Sequence, residues 1–240
     1  MAGRLYGVGL GPGDPELLTV KAVRIIAESP VVAYFAKKGN IGNARKIADR
    51  WLPQTAEETP LYYPMTTELP FDHPEYIATL SRFYENAATR LAERLERGLD
   101  VALLAEGDPL FYGSFMHLYA RLRSRFETYI VPGVTGMSGC WAAAGSPMTW
   151  GDDVLTVLPG TLPLADLVAQ LRVCDAAVVM KLGRNIEKVK TAFETVGLTK
   201  RAIYVERGTM VGEKVLPLSE FSGAAPYFSL ILLPGQGRRP

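Results

Sequence analysis

The stretch Val101-Ala-Leu-Leu-Ala-Glu-Gly-Asp-Pro-Leu-Phe-Tyr-Gly113 decides the fold class. It begins with five uncharged apolar residues, Val101 to Ala105, and such a run is typical of a strand buried on both faces inside a parallel sheet. The strand should end at Glu106, because Gly107 permits a positive φ and Pro109 cannot donate to the ladder. Ligands of open α/β sheets bind beyond the carboxyl ends of strands. The stretch therefore predicts either a ligand-binding loop or an ordinary turn from a strand into a helix.

The length, composition and net charge of the chain exclude several classes of protein. With 240 residues, 48% of them hydrophobic, the chain can bury one large core or two smaller ones. A net charge of +1 gives no global field for nucleic acid or an anionic membrane, and no stretch resembles a membrane helix. We therefore expect no nucleic acid and no membrane among the partners. The first residues lack the basic-plus-apolar pattern of a signal peptide, which predicts a cytoplasmic protein.

Cysteine and histidine are too scarce for a dedicated zinc site of the usual type, and we expect no metal. Cys140 and Cys174 lie among apolar or small residues, so we interpret them as core fillers in a reducing compartment. The two histidines are His73 and His117. Because His117 lies among apolar neighbours on a helix, it is predicted to be packed or interfacial rather than catalytic.

Residues 1–135 are predicted to form an α/β domain with a mostly parallel sheet. Asp14 is a plausible N-cap of its first helix, with Pro15 at the first helical position. The polar loop Met65 to Pro74 has the length of a lid or binding loop. The predicted strands are Leu5–Leu10, Val31–Phe35, Thr59–Pro64, Val101–Ala105 and Glu127–Val131, and the predicted helices are Glu16–Ala27, Asn43–Leu52, Glu75–Arg97 and Gly113–Arg123.

Residues 136–240 are predicted to form a second, mixed α/β domain. Two successive strands near its end imply antiparallel pairing. The helix Met137–Ala144 is built of small residues, which indicates a close backbone contact. The other predicted elements are strands Val154–Leu158, Ala176–Met180, Ala202–Glu206, Lys214–Leu218 and Tyr227–Leu233, and helices Leu164–Leu171 and Ile186–Val196.

The first strand and its loop match a dinucleotide fingerprint only in part. Gly7 and Gly9 have the required spacing, but Pro12 stands where the third glycine belongs. The second strand ends in Lys37-Lys38, where an acidic residue would normally bind the ribose hydroxyls. Both departures disfavour a nicotinamide-dependent oxidoreductase.

Four motifs in a fixed order, taken together, resemble the tetrapyrrole (class III) methyltransferases that use S-adenosylmethionine. The resemblance covers nearly the whole chain. Glu106 and its neighbours are most similar to members acting in cobalamin synthesis, whereas members that dimethylate uroporphyrinogen usually carry a glycine at that position. The four motifs are Gly7–Pro15, Glu106–Gly113, Val131–Thr135 and Glu206–Thr209, and the features favouring cobalamin synthesis also include Ser114–Met116, Gly151–Leu155, Leu158–Thr161 and Val179–Asn185.

The resemblance implies a homodimer that binds S-adenosylmethionine in a trough between its two domains and methylates a reduced tetrapyrrole. Phe111 replaces a smaller aliphatic residue of the family, and Gly136 replaces an alanine. Carried over position by position, the cofactor contacts fall at Pro12, Gly107, Asp108, Phe111, Thr135, Gly136, Met180, Lys181, Leu182 and Gly208.

The implied chemistry asks little of side chains, because a sulfonium methyl is already activated and a meso carbon of the ring is nucleophilic. Positioning and backbone dipoles can carry the reaction. Glu106 is the candidate base for the meso proton; alternatively, it is a structural acceptor for a loop amide. Local cations should bind the ring carboxylates, and Lys37, Arg184 and Arg207 are the substrate-binding candidates from a pool that also holds Lys38, Arg45 and Lys181.

Three other classes of function stay open at this point. An oxidoreductase would bind NAD, whereas a methyltransferase would bind S-adenosylhomocysteine. A non-catalytic tetrapyrrole carrier would bind the ring without an adenosyl site. A relative of diphthine synthase would methylate a protein instead of a ring. Whether the ring carries cobalt also stays open.

Overall fold

The computed structural model describes residues 1–66, 69 and 73–237. This part of the chain contains ten strands and seven α-helices, joined by loops and short 3₁₀ turns. The chain divides into two units, Met1–Thr135 and Gly136–Pro240. Parts of the predicted loop Met65–Pro74 and of the tail Gly235–Pro240 lie outside the described residues. Within the described residues, no helix is long and apolar enough to cross a membrane.

The first unit contains a five-stranded sheet in which every neighbouring pair of strands is parallel, as predicted. The strand order is β3-β2-β4-β1-β5, so β4 lies at the centre. The strands are β1 (Leu5–Gly9), β2 (Val31–Lys37), β3 (Glu57–Tyr63), β4 (Val101–Ala105) and β5 (Thr128–Val131), and the helices are α1 (Val20–Glu28), α2 (Asn43–Ala48), α3 (Pro74–Glu96) and α4 (Phe115–Leu122).

Alternation along β4 builds the core on both faces of this sheet. Val101 and Leu103 pack with α3 and α4, while Ala102 and Leu104 pack with α1 and α2. All five residues of β4 are buried. The apolar run therefore has the predicted cause, because helices cover the strand from both sides.

The first helix begins later than the sequence predicted. Asp14 does cap a turn, but that turn is a separate 3₁₀ turn, Pro15–Leu17. The Oγ1 atom of Thr19 accepts the Ala22 amide at 3.1 Å and caps α1, which starts at Val20. The predicted start was wrong because Asp14 and Thr19 are both N-cap residues, and each begins an element of its own.

Other bounds in this unit also differ from prediction. Helix α2 ends at Ala48 and a 3₁₀ turn, Asp49–Trp51, continues it. Strand β3 begins two residues earlier than expected. Gly98 follows α3 with φ of 81°, the left-handed geometry of a C-terminal glycine cap.

The second unit contains a mixed sheet with the order β6-β7-β10-β8-β9. Only β6 and β7 pair in parallel; β10 is antiparallel to β7 and to β8, and β8 is antiparallel to β9. This confirms the predicted antiparallel pairing near the end of the chain. The strands are β6 (Leu155–Pro159), β7 (Ala176–Met180), β8 (Ile203–Glu206), β9 (Lys214–Pro217) and β10 (Ser229–Leu233), and the helices are α5 (Gly136–Ala143), α6 (Leu164–Val173) and α7 (Ile186–Thr195).

The second core is layered like the first. Helices α6 and α7 pack on one face of the sheet around Val179 and Tyr204, and α5 packs on the other around Val178 and Val205. Because β10 runs against both β7 and β8, strands β6, β7 and β8 share one direction. Their carboxyl ends therefore lie at the same edge of this sheet.

Candidate functional site

Three loops meet at the carboxyl edge of the first sheet, after β1, β4 and β5. A Cβ atom on Gly9 would lie 2.5 Å from the Gly133 nitrogen and 2.8 Å from the Gly107 carbonyl oxygen. A Cβ atom on Gly133 would lie 2.2 Å from the same Gly107 oxygen. These backbones approach so closely that only glycine fits at positions 9 and 133. The loop edge consequently presents backbone amides and carbonyls.

Asp108 fastens the loop after β4 to the loop after β5. Its Oδ1 atom accepts the Leu110 amide at 2.9 Å, and its Oδ2 atom accepts the Gly133 amide at 3.1 Å. One carboxylate therefore caps its own turn and holds the neighbouring loop. The predicted cofactor residue Asp108 has this structural task in addition to any ligand contact.

A two-way backbone bridge brings the loop after β1 to the same place. The Gly107 amide donates to the Gly11 carbonyl at 2.8 Å, and the Gly11 amide donates to the Gly107 carbonyl at 3.3 Å. Pro12 follows directly and lies in the bend beyond this bridge. Pro12, Gly107 and Asp108, which were predicted from separate motifs, are thus brought together.

Glu106 lies between this loop cluster and the start of α2. The Ala44 backbone amide and the Asn43 side chain lie close enough to its carboxylate to influence its pKa. Burial raises the pKa of Glu106 to about 7, and these two groups oppose that rise because they favour the charged form. Both predicted roles of Glu106, the structural acceptor for a loop amide and the base, stay predictions.

An aromatic and hydroxyl cluster follows the same edge toward β3. The Tyr84 hydroxyl donates to Ser114 Oγ at 3.2 Å, and Tyr63 also bonds to that oxygen. His117 stacks on the Tyr84 ring with 4.2 Å between ring centres. Burial, and then the charge of Arg121, lower the pKa of His117. His117 is nevertheless exposed, so it stacks on one ring and is not buried, and the predicted packed or interfacial role stays a prediction.

The predicted cations of this unit differ in their surroundings. Lys37 ends β2 and is exposed. Arg45 is held by Glu58 at 2.7 Å and by Asp49 at 2.5 Å, and these carboxylates raise the pKa of its guanidinium. Since two carboxylates already pair with Arg45, it serves to attach α2 to β3.

In the second unit, the loops after β6 and β7 meet at the common carboxyl edge. The Gly160 amide donates to the Met180 carbonyl at 2.6 Å. Lys181 is exposed and has a positive φ of 58°, whereas the Leu182 side chain is fully buried in the core. Arg184 lies exposed in the 3₁₀ turn that follows.

The loop after β8 contains the other predicted residues of this unit. A Cβ atom on Gly208 would lie 2.9 Å from the Cys140 Cα atom of α5, which confirms the expected close backbone contact of that helix. Burial raises the pKa of the Cys140 thiol to about 11, so it stays neutral as a core filler. Arg207 pairs at 2.6 Å with Glu206, which is 5% exposed and also accepts the Tyr204 hydroxyl.

Positive φ angles in residues other than glycine coincide with these loops. Among the described residues they occur at Tyr112, Lys181, Arg207 and Thr209. Each lies in a loop that follows β4, β7 or β8. Such conformations cost free energy and cluster at ligand sites, so they support the assignment of both edges as binding loops.

The remaining predicted cofactor residues lie in loops, and the sequence analysis did not single out some residues that shape the site. Phe111 packs edge-on against Tyr112, while Thr135 and Gly136 stand where β5 leads into α5. Gly9 and Gly133 were visible within the quoted motifs, but only their mutual approach reveals their role. Asn43, whose side chain influences the pKa of Glu106, had no sequence signal. Among residues 1–66, 69 and 73–237 there is no group of three metal-ligating side chains.

Fold and edge loops together define an α/β protein of two units, each with glycine-rich loops at the carboxyl edge of its sheet. The sequence model of the family described as Tetrapyrrole (Corrin/Porphyrin) Methylases matches residues 4–221. The chain belongs to this family.

Individual relatives agree with the family assignment. The chain is 51% identical over 239 residues to a precorrin-2 C(20)-methyltransferase of a Sinorhizobium species, covering 99% of this chain and 98% of the relative. It is 28% identical over 237 residues to a cobalt-precorrin-2 C(20)-methyltransferase of Salmonella typhimurium, covering 97% of each.

A solved structure shares the fold. This is a uroporphyrin-III C-methyl transferase from Thermus thermophilus complexed with S-adenyl homocysteine, with a TM-score of 0.67 and 24% identity. The match covers 97% of this chain and 92% of that one.

Proposed function

We propose that this protein transfers a methyl group from S-adenosylmethionine to C20 of precorrin-2, giving precorrin-3A in cobalamin biosynthesis. The observation that carries the proposal is the 51% identity with a precorrin-2 C(20)-methyltransferase, which extends over nearly the full length of both chains. Both units, and therefore the loops at both edges, are included in that match.

The described loops fit S-adenosylmethionine as a ligand. At Gly136 a Cβ atom would have nothing within 4 Å, so the backbone there is open to a neighbouring molecule. The loops around Pro12, Gly107 and Asp108 supply backbone amides and carbonyls at the edge of the first sheet. We propose that the cofactor contacts are Pro12, Gly107, Asp108, Phe111, Thr135, Gly136, Met180, Lys181, Leu182 and Gly208.

The bound S-adenosylmethionine supplies an activated methyl group. The protein therefore has to position the methyl donor and the ring, and it does not have to activate the methyl group. Glycine backbones locked by Asp108 and by the Gly11–Gly107 bridge are rigid enough to hold a ligand in one orientation. Positioning of this kind can account for roughly 7–11 kcal/mol of a barrier. Backbone dipoles at the strand ends then favour the charge that leaves sulfur and develops on the ring.

The ring is rimmed with carboxylates, and we propose that Lys37, Arg184 and Arg207 bind them. Lys37 and Arg184 are exposed, and the Arg207 side chain is 41% exposed. Glu206 occupies one nitrogen of Arg207, which fixes the guanidinium plane while the group keeps other donors. An arginine held in this way is suited to paired hydrogen bonds with a carboxylate.

A second candidate differs only in the metal of the ring. The cobalt-precorrin-2 relative is 28% identical, against 51% for the relative that acts on precorrin-2. This difference favours the cobalt-free ring. Other tetrapyrrole methylations receive less support from the same comparison.

We further propose a homodimer that works in the cytoplasm. The dimer follows from the family resemblance of the sequence. The cytoplasmic setting is supported by the two cysteines, Cys140 and Cys174, which are both free. Free thiols are typical of proteins in a reducing compartment.

The decisive experiment is an anaerobic incubation with precorrin-2 and S-adenosylmethionine that carries a ¹³C methyl. We expect one added methyl, assigned to C20 by carbon NMR, and slower turnover with the cobalt-loaded ring. Tight binding of S-adenosylhomocysteine without any transfer would contradict the substrate assignment. Binding of NAD in place of S-adenosylhomocysteine would instead contradict the assignment of the cofactor.

A further inference from the structure

Two tyrosine hydroxyls converge on the side chain of Ser114, the residue that precedes α4. The hydroxyls of Tyr63 and Tyr84 both donate to the Ser114 Oγ atom, the second at 3.2 Å. Tyr63 is the last residue of β3, and Tyr84 lies on α3. A serine hydroxyl has two lone pairs and one proton, so the two tyrosines occupy its whole capacity to accept hydrogen bonds. Toward any further partner, Ser114 can therefore act only as a donor.

The proton of the Ser114 hydroxyl is available for such a partner. Although Ser114 stands at the N-cap position of α4, its side chain does not cap the helix, and its backbone is already helical with φ of −70° and ψ of −17°. Among the residues that the structure describes, none accepts a hydrogen bond from Ser114 Oγ. The residue is half-buried, so a ligand at the surface of the unit can reach this hydroxyl.

Aromatic packing fixes the direction from which the two tyrosines donate. The Tyr63 ring stacks on Phe35 with 5.3 Å between ring centres. The Tyr84 side chain is 5% exposed, and its ring stacks on His117 at 4.2 Å. Neither ring can turn away without breaking these contacts, so the Ser114 hydroxyl is held in one orientation. A donor that is oriented in advance loses less freedom when it binds a ligand.

This oriented donor lies at the same sheet edge as the residues of the proposed site. Ser114 follows the loop Glu106–Gly113, which contains proposed cofactor contacts. Tyr63 ends β3 and is the register partner of Lys37, the last residue of β2. Register partners of parallel strands project to the same face of a sheet. An ammonium group and a hydroxyl donor close to one face of one edge favour an anionic acceptor, and a carboxylate is such an acceptor.

We propose that Ser114 binds a carboxylate of the tetrapyrrole through its hydroxyl, and that Tyr63 and Tyr84 are positioning residues that direct this hydroxyl. The inference rests on the proposed function and adds a neutral donor of defined direction to the proposed cations. The proton stays on the serine oxygen and no covalent bond changes, so Ser114 contributes to binding of the ring and not to the transfer step. Because S-adenosylmethionine also has a carboxylate, the test must separate the two ligands.

Three variants test the inference, with one control. S114A removes the donor, S114T keeps a hydroxyl on the same carbon, and Y84F removes one of the two groups that orient it. The control is S29A: Ser29 is a buried serine before β2, at the opposite edge of the same sheet, and its hydroxyl donates to the Ile25 carbonyl at 2.7 Å. The measurements are steady-state kinetics with precorrin-2, calorimetric binding of S-adenosylhomocysteine, and urea unfolding.

We expect S114A to raise KM for precorrin-2 about tenfold or more, because a hydrogen bond to a charged acceptor is lost. Its kcat and its affinity for S-adenosylhomocysteine should stay within about threefold of wild type. S114T should restore KM to within about threefold. Y84F should raise KM less than S114A does, and it should add nothing in the double variant, since Tyr84 acts through Ser114. S29A should lower stability and leave KM unchanged.

Three results would overturn the inference. The first is an unchanged KM in S114A with lower stability alone, because Ser114 would then only join β3, α3 and α4. The second is a loss of affinity for S-adenosylhomocysteine with an unchanged KM for the ring, since the bound carboxylate would then belong to the cofactor. The third is a kcat that falls about 100-fold or more in S114A with an unchanged KM, which would assign the serine to the transfer step.

Equilibrium binding of precorrin-2 to the complex with S-adenosylhomocysteine needs no turnover and recognises failure of the proposed function separately. If wild type binds the ring without methylating it, the proposed reaction is wrong. Binding by S114A that is about tenfold weaker would then still support the inference, whereas equal binding would overturn it. If wild type does not bind precorrin-2, the proposed function and the inference are both wrong.

Discussion

At the scale of single residues, close backbone contacts set the identity of the glycines at the first sheet edge. Gly9 and Gly133 lie against the carbonyl of Gly107, and a methyl group at either position would overlap backbone atoms. Backbone cannot rotate out of the way as the end of a flexible side chain can. The loops after β1, β4 and β5 should therefore respond together when one glycine is changed.

The substitution Gly133→Ala tests this dependence. The added Cβ atom would lie 2.2 Å from the Gly107 oxygen, so the loops must separate. We expect a loss of about 1–3 kcal/mol in the free energy of unfolding and weaker binding of S-adenosylhomocysteine. Calorimetry and urea unfolding provide the measurements. Gly113→Ala is the matched control, since its nearest contact would be 3.4 Å; equal behaviour of the two variants would contradict the argument.

Glu106 should make stability depend on pH. Its pKa of about 7 in the folded protein lies above the ordinary value of 4.5, so the folded state holds the proton more tightly than the unfolded state. The stabilisation is complete below about pH 4.5 and is lost as pH rises through about 7, a change of up to about 3 kcal/mol. Urea unfolding at pH 5 and pH 8 should show a smaller decrease for E106Q than for wild type. Identical decreases would contradict the prediction.

At the scale of elements, the start of α1 shows how a cap defines a boundary. Asp14 caps only the 3₁₀ turn, whereas Thr19 caps the helix. We expect Thr19→Ala to cost about 1 kcal/mol of unfolding free energy, and Thr19→Ser to cost less because it keeps the hydroxyl. Thermal unfolding of both variants, beside Asp14→Ala, checks this. A larger loss for Asp14→Ala than for Thr19→Ala would restore the boundary predicted from the sequence.

The relative direction of the strands is the second feature that matters at the scale of elements. In the second unit β10 lies between β7 and β8 and runs against both, which aligns the ends of β7 and β8. Met180 ends β7 and Gly208 follows β8, so these residues, distant in sequence, lie at one edge of the sheet. The order of strands along the chain does not reveal this arrangement, because β10 is the last strand and is inserted between earlier ones.

At the scale of the whole molecule, the proposed homodimer predicts a simple measurement. The chain has a mass of 26.2 kDa, so light scattering after size exclusion should give about twice that value. The value should be independent of protein concentration in the micromolar range. A mass of one chain at all concentrations would contradict the proposed dimer.

The sequence by itself determined the order and type of the elements, the buried central strand and the family. Apolar periodicity and glycine or proline breaks are local properties of the chain, and the four motifs keep their order whatever the tertiary structure. This is why Val101–Ala105 and its following loop could be predicted from the residues alone.

Tertiary structure decided which of these residues meet. Glu106 comes near Asn43 and Ala44 only because β4 pairs with β2, and Gly133 is confined only because β5 brings it beside Gly107. Burial of a carboxylate, its pKa and the approach of two backbones are properties of contacts between distant segments. No local pattern encodes them, so the raised pKa of Glu106 could not be predicted from the sequence.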